Sequence, residues 1–395
     1  MTHCMNEVDP FETIKSRLLS RFNEHFGTPA TFLSVAPGRV NVIGEHVDYN
    51  GGWVLPAAIE RSMIMAVSPR SDRRVSLMSA NGQAPSEFSL DELSPDGSRD
   101  WGRYVRGVLA GLKNEGIELT GFNACVDSTI PIGGGLSSSA ALESATGLAV
   151  LAMAGKEMDR FKLAKICQWA EHTYAGVPCG IMDQAAILNC KEGHLLYLDC
   201  ENETFIQTPF EAPGWGLMII NTNVAHELAS GEYALRRKAC HDAAEILGVS
   251  SLRHVPFSDL DEVQENHNLT KEMLYCVRHN VTENERTART VTALAKGDIP
   301  LAGQLLNASH ASLRDDYRVS CKELDFVASS ALGLEGVAGC RMTGGGFGGS
   351  CVALVKMDLA GQISEKLSVA YTEKFGFAPS IFLTKPAAGA RVETL

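Results

Sequence analysis

Apolar positions recur along this chain at two spacings. Phe11, Ile14, Leu18 and Phe22 fall three or four residues apart, as on one face of a helix. Val40, Val42 and Ile43 instead end a run of buried-strand character, and Val54 and Leu55 begin the next. Strand-like segments at 63–67 and 195–198 alternate with helical ones at 105–114 and 161–176. Ala141, Ala145, Leu148 and Ala152 share one helical face, with Gly155 as a C-terminal stop. A cluster of Pro and Gly at 209–216 marks a change of composition, after which the chain reads as largely helical until about residue 339. These elements predict an α+β protein of two domains, 1–212 and 213–395.

Polar residues break this pattern in one loop. Between the apolar runs of segment 36–58, Glu45, His46, Asp48 and Asn50 crowd into a Gly-punctuated turn. Packing does not require them there. They offer several hydrogen-bond donors and acceptors at once, which suits a neutral polyhydroxylated ligand such as a sugar better than an anion or a metal.

Segment 130–155 places Gly133, Gly134, Gly135, Leu136, Ser137, Ser138 and Ser139 ahead of the small-residue helix. A glycine loop feeding a helix N-terminus gathers unpaired N–H groups and the positive end of the helix dipole, the surroundings a polyphosphate needs. The Lys that completes a Walker A loop is missing, and the glycines are contiguous rather than spaced as in a dinucleotide fingerprint. A third cluster, at 339–355, reads as strand, glycine loop and strand, with Cys351 to Val355 the apolar run that follows. Five glycines surround Phe347 at 344–349, a sequence costly in backbone entropy unless something approaches closely.

Composition narrows the class. A chain of 395 residues exceeds one compact core, and a formal charge of -12 disfavours nucleic acid and anionic membranes, so a phosphate ligand has to be held by local donors. The 11 cysteines are scattered singly, as reduced cytosolic thiols are. Acidic residues at Glu7, Asp9 and Glu12 and the lack of an apolar core mark the N-terminal helix as a docking element rather than a targeting peptide. A cytoplasmic enzyme is expected, its oligomeric state open and compatible with a monomer.

The three motifs, in this order, resemble the galactokinase branch of the GHMP small-molecule kinases. GRVNVIGEHVDYNGG is similar to the sugar signature of that branch, IPIGGGLSSSAALE to the family's phosphate loop and GCRMTGGGFGGSCVAL to its third motif. Further similarity lies at 176–184, 227–240, 278–287 and 309–321. Val47 departs from the pattern, which more commonly has Thr there. The resemblance implies an N-terminal β/α sandwich and a smaller C-terminal α+β domain with the active site in the cleft. It also implies transfer of phosphate from ATP, with Mg²⁺, to the C1 hydroxyl of D-galactose.

Site roles follow from that resemblance residue by residue. Asp183 takes the position of the catalytic carboxylate and Arg39 that of the arginine beside it. On its own, Asp183 would read as a helix-start acid. A cation against a carboxylate favours the charged form, which leaves open whether Asp183 removes the hydroxyl proton or only orients it. Ser139 and Glu171 match the Mg²⁺ ligands. Glu45, His46, Val47, Asp48, Gly180 and Tyr233 match the sugar-binding positions, with Asp48 and Glu45 as principal readers. Ser79, Trp101 and Tyr104 are candidates for the adenine side. A kinase of a related sugar, N-acetylgalactosamine or an arabinose, and a sugar sensor without turnover are the alternatives, the second disfavoured by the intact loop.

Overall fold

The N-terminal stripe forms its helix and docks. The computed structural model describes residues 8–225, 229–265 and 268–395, so that Glu7 and the first residues of the similarity at 227–240, Glu227 and Leu228, lie outside the described residues. Helix Phe11–Phe26 buries Ile14, Leu18 and Phe22 against Leu33, Val35, Ile64, Ala66 and Cys125 of a sheet. It stops at Gly27, whose φ of 69° lets its N–H close on the Asn23 carbonyl.

That sheet has six strands in the order Arg391–Thr394, Phe32–Asn41, Pro56–Pro69, Phe122–Ser128, Arg74–Ser79 and Ser86–Ser89. Side chains alternate across it. Ile64 and Ala66 face the first helix, while Met63, Met65 and Val67 face the main core. Helices Gly102–Asn114, Ser138–Met153, Arg160–Ala170 and Met182–Asn189 contribute to that core. Ser138–Met153 lies innermost, against three strands of the sheet and the other three helices. It is therefore buried nearly all round rather than on the single face that the sequence suggests, and Leu148 and Ala152 of that face are only half-buried. Small residues allow this: a Cβ on Gly147 would stand 2.7 Å from Leu163. Helix Arg160–Ala170 continues through a wide π turn, Glu171–Ala175, to Gly176. Among the described residues no helix is long and apolar enough to cross a membrane.

A second sheet, in the order Val337–Thr343, Gly348–Lys356, Trp215–Ala225 and Ser380–Thr384, separates the two large cores. Leu217 and Ile219 enter the first core, and Met218 and Ile220 enter the second. Helices Ala229–Leu247, Lys271–Ala295 and Lys322–Leu332 supply much of the second core. The last strand returns to the first sheet, where Thr394 pairs with Phe32.

The glycine motifs pack on one another. A Cβ on Gly344 (φ 87°) would lie 3.0 Å from the Gly135 carbonyl oxygen, and Ser350 Oγ donates to the Gly134 carbonyl at 2.6 Å. The close approach foreshadowed by the glycines at 344–349 is thus made by the phosphate loop itself. Beneath this junction the fully buried Arg341 donates Nη1 to the carbonyls of Asn41 and Val42, both at 3.1 Å, and Nε to Ser309 Oγ at 3.1 Å. Its guanidinium also lies 3.8 Å from Glu45 and 3.7 Å from Glu283. Removing one partner of a buried ionic network leaves the others uncompensated. Arg341→Met is therefore expected to lower the unfolding free energy by about 3–5 kcal/mol, and a loss under about 1 kcal/mol in urea titrations would show that the network is dispensable.

Candidate active site

Arg39 reaches the site because its strand is irregular beside it. The pairing register shifts between Pro37 and Arg39, and a Cβ on Gly38 would come within 2.9 Å of the Leu136 carbonyl oxygen, so the strand lies directly against the phosphate loop. The Arg39 side chain is buried. It donates Nη1 to the Gly135 carbonyl at 2.6 Å and Nε to Asp183 Oδ1 at 2.8 Å, with Nη2 at 2.7 Å from the same oxygen. Ser137, held in the left-handed region at φ 60°, donates its hydroxyl to Asp183 Oδ2 at 2.5 Å. Asp183 remains partly open to a cavity of about 540 Å³.

Across the phosphate loop, Ser139 Oγ donates to Glu171 Oε1 at 2.9 Å. Burial, reinforced by the charge of Asp183, pushes the Glu171 carboxyl up to about 6. A hydroxyl and a carboxylate at the mouth of a phosphate loop are hard oxygen donors, and they fit a divalent cation shared with nucleotide phosphates. Ser138 and Ser139 also line a second cavity of about 200 Å³ together with Ser79, Trp101 and Tyr104. The indole N–H of Trp101 is occupied by the Ala84 carbonyl at 2.8 Å, which leaves its ring as the contact surface.

The larger cavity gathers Glu45, His46, Asp48, Gly180 and Tyr233 around Arg39 and Asp183. Glu45 is mainly a frame residue: Oε1 accepts from Thr343 Oγ1 at 2.9 Å and from the Gly344 N–H at 2.6 Å, and Oε2 from Asn41 at 2.8 Å. Asp48 is the freer acceptor, with the Tyr49 backbone N–H on its carboxylate. That carboxylate lies so close to Gly180 that a Cβ there would sit 1.8 Å from Oδ2, so only glycine fits. Burial and the charge of Asp183 push Asp48 up to about 7. His46 Nε2 faces the Gly345 carbonyl at 3.2 Å, which can only accept, so Nε2 carries the proton and Nδ1 accepts from the Tyr49 hydroxyl at 2.9 Å. Burial lowers His46 to about 3, and the ring stays a neutral wall of the cavity.

Two expectations need correction. Val47 is fully buried and packs against Gly52 in the core, so its side chain does not line the cavity. The fit is steric: its carbonyl anchors the N–H groups of Asn50 and Gly52, which turns the side chain inward. Asn50 likewise braces the loop, donating to Asn280 Oδ1 at 2.7 Å and to the His46 carbonyl at 3.2 Å.

Comparisons with known proteins identify the family. The family model for the galactokinase galactose-binding signature matches residues 20–69, and those for the GHMP kinase N-terminal and C-terminal domains match 103–191 and 290–372. The galactokinase of Streptomyces coelicolor is 43% identical over 383 residues, 96% of this chain and 99% of that protein. Human galactokinase is 41% identical over 378 residues, 94% of each chain. The chain belongs to the galactokinase family of GHMP kinases. The crystal structure of Lactococcus lactis galactokinase complexed with galactose superposes with a TM-score of 0.91 at 34% identity, covering 96% of this chain and 99% of that one. A mevalonate kinase at 19% identity and TM-score 0.61 shares the fold alone.

Within this galactokinase-family site, sequence reasoning missed the backbone of Gly344, Gly345 and Gly346, Val177 and Cys179 on the cavity wall, and Gln184 and Glu143 behind Glu171. The third glycine motif pointed to the first group. The others lie within the stretches of family similarity at 130–143 and 176–184, but nothing local gives them a role.

Asp48 supplies a stability signature. Its folded-state value is raised from near 4 to about 7, so the stabilisation from the protonated carboxyl is complete below pH 4 and is lost as pH rises through 7. Asp48→Asn, which cannot ionise, is expected to melt above the wild type at pH 8, with the gap narrowing at pH 5. An equal gap at both pH values in thermal denaturation would contradict the raised value.

Proposed function

We propose that this chain transfers the γ-phosphoryl group of ATP to the C1 hydroxyl of D-galactose, releasing galactose 1-phosphate and ADP. The observation that carries the reading is the Asp183 carboxylate, fixed by Arg39 and Ser137 where the sugar cavity meets the phosphate loop. Membership of the galactokinase family supports the same substrates.

Phosphoryl transfer asks the protein for alignment and charge stabilisation rather than covalent chemistry. Asp183 accepts a hydrogen bond from the C1 hydroxyl and takes its proton as the new P–O bond forms. Arg39 sits where negative charge spreads over the transferred group, and the same guanidinium keeps Asp183 aimed. Asp48 accepts from the sugar hydroxyls, backed by Gly180, with Glu45, His46 and Tyr233 shaping the wall. The backbone of Gly133, Gly134, Gly135 and Leu136, with Ser137 to Ser139, cradles the phosphates, while Ser79, Trp101 and Tyr104 take the adenine.

We assign Mg²⁺ as the divalent cation, held by Ser139 Oγ and the Glu171 carboxylate. Bound there, it neutralises charge on the nucleotide phosphates. We place the division between lobes at residues 212 and 213, just ahead of strand Trp215–Ala225. We place the enzyme in the cytoplasm, where the buried free thiols at Cys125, Cys167 and Cys240 belong.

A coupled ADP-release assay over galactose, glucose, N-acetylgalactosamine and L-arabinose tests the reading. A site whose polar groups match each hydroxyl rejects an epimer strongly. Galactose is expected to give the highest kcat/KM, about three orders of magnitude or more above glucose. Asp183→Asn is expected to bind galactose by calorimetry yet retain less than about a tenth of kcat, a barrier increase above about 1.4 kcal/mol. A better substrate than galactose overturns the substrate assignment, and a fully active Asp183→Asn overturns the catalytic one.

A further inference from the structure

Asp183 and Glu171 lie on consecutive segments, and one buried side chain connects the second of them to the phosphate loop. Gln184 follows Asp183 in helix Met182–Asn189 and has no exposed surface. Successive helical residues point about 100° apart. One turn of backbone therefore sends Asp183 to Arg39 and Ser137, and Gln184 to a different set of partners. Its Nε2 donates to Glu171 Oε2 at 2.7 Å and to Glu143 Oε2 at 3.2 Å. The shorter contact, to Glu171 Oε2, sets the orientation: a carboxylate oxygen accepts, so the amide nitrogen faces it and the flipped amide would set oxygen against oxygen there.

Glu143 closes a ring. It stands four residues after Ser139 on helix Ser138–Met153, on the same helical face, and it too has no exposed surface. Ser139 holds Glu171 Oε1, Gln184 holds Glu171 Oε2, and Glu143 ties Gln184 back to the helix that carries Ser139. Gln184 Oε1 and Glu143 Oε1 are buried without partners, so the orientation of the amide comes from its Nε2 contacts alone. A glutamine present only for packing would gain nothing from an unmatched buried oxygen. Burial and the charge of Glu171 push the Glu143 carboxyl well above the usual carboxylate range, which makes it an anchor that adds no second charge.

We propose that Gln184 is a positioning residue for the cation site: its amide, anchored on Glu143 of the phosphate-loop helix, fixes the Glu171 carboxylate so that Oε1 faces Ser139 and the nucleotide phosphates. The proposal rests on the reading that Ser139 and Glu171 hold the divalent cation, and it gives that site its second layer. It also links the two halves of the chemistry, because adjacent residues of one helix set the reacting carboxylate and the cation carboxylate.

The test measures Mn²⁺ binding by calorimetry to the full chain in the presence of a non-hydrolysable ATP analogue, alongside galactose binding. Gln184→Met keeps the length of the side chain and removes its donors. It is expected to weaken Mn²⁺ binding about ten-fold or more, the scale seen when the partner of a metal ligand is lost, with galactose affinity changed less than about two-fold. Glu143→Leu is expected to act in the same direction. Gln184→Asn, whose amide is one methylene too short to reach both carboxylates, decides by the same criteria if Gln184→Met does not fold. Mn²⁺ affinity within about two-fold of wild type, or a parallel loss of galactose affinity, overturns the positioning role. Glu171→Ala separates the two layers: if it weakens Mn²⁺ binding while Gln184→Met does not, only the positioning role falls, and if it leaves Mn²⁺ binding unchanged, the cation reading falls with it.

Discussion

The contact between the Arg39 guanidinium, the Asp183 carboxylate and the Gly135 carbonyl is the constraint around which this site is built. Three stretches of chain far apart in sequence meet there: the strand ending at Asn41, the glycine loop before Ser138–Met153 and the helix carrying Asp183. A planar guanidinium can hold a carboxylate and a carbonyl at fixed angles simultaneously, which a lysine ammonium cannot do. Relative placement of the phosphate loop and the Asp183 carboxylate therefore follows from one side chain. The glycines around it serve that contact, since a Cβ at Gly38 would push its strand away from the loop and a Cβ at Gly344 would crowd Gly135.

Such a site is electrostatically uncomfortable without its ligands. Asp48, Glu171 and Asp183 repel one another, and burial disfavours the charge on the first two, which raises Asp48 to about 7 and Glu171 to about 6. Under the proposed assignment, a sugar hydroxyl on Asp48 and a divalent cation beside Glu171 would each remove part of that tension. Beneath the cavity lies a separate set of paired charges. Arg341 lies under the sugar loop near Glu45 and Glu283, and Glu283 accepts in turn from Ser309 at 2.6 Å and from the Gly44 N–H at 3.0 Å.

Much of this was legible in the sequence, for identifiable reasons. The stripe at Phe11, Ile14, Leu18 and Phe22 and the glycine loop before Ser138–Met153 depend on local periodicity and backbone freedom, which sequence displays directly. The division of labour within the sugar loop was not legible, because it depends on what each side chain meets from elsewhere. Glu45 is taken up by Thr343 and Gly344, Val47 turns into the core and Asp48 lines the cavity, although all three stand within four residues. Glu143 and Gln184 end two of the similar stretches, yet their role was not legible for the same reason. Each reads as an ordinary helical residue until the fold brings both to Glu171.

The claim that Arg39 and Asp183 act as one unit is tested most directly by a double-mutant cycle on kcat with galactose and MgATP, using Arg39→Met, Asp183→Asn and the pair. Groups that work together lose their joint contribution when either is removed, so their effects do not multiply. This account requires the double variant to be no more than about ten-fold slower than the slower single variant, a difference of about 1.4 kcal/mol. Losses that multiply across the two sites would show that the guanidinium and the carboxylate contribute independently, and would contradict it.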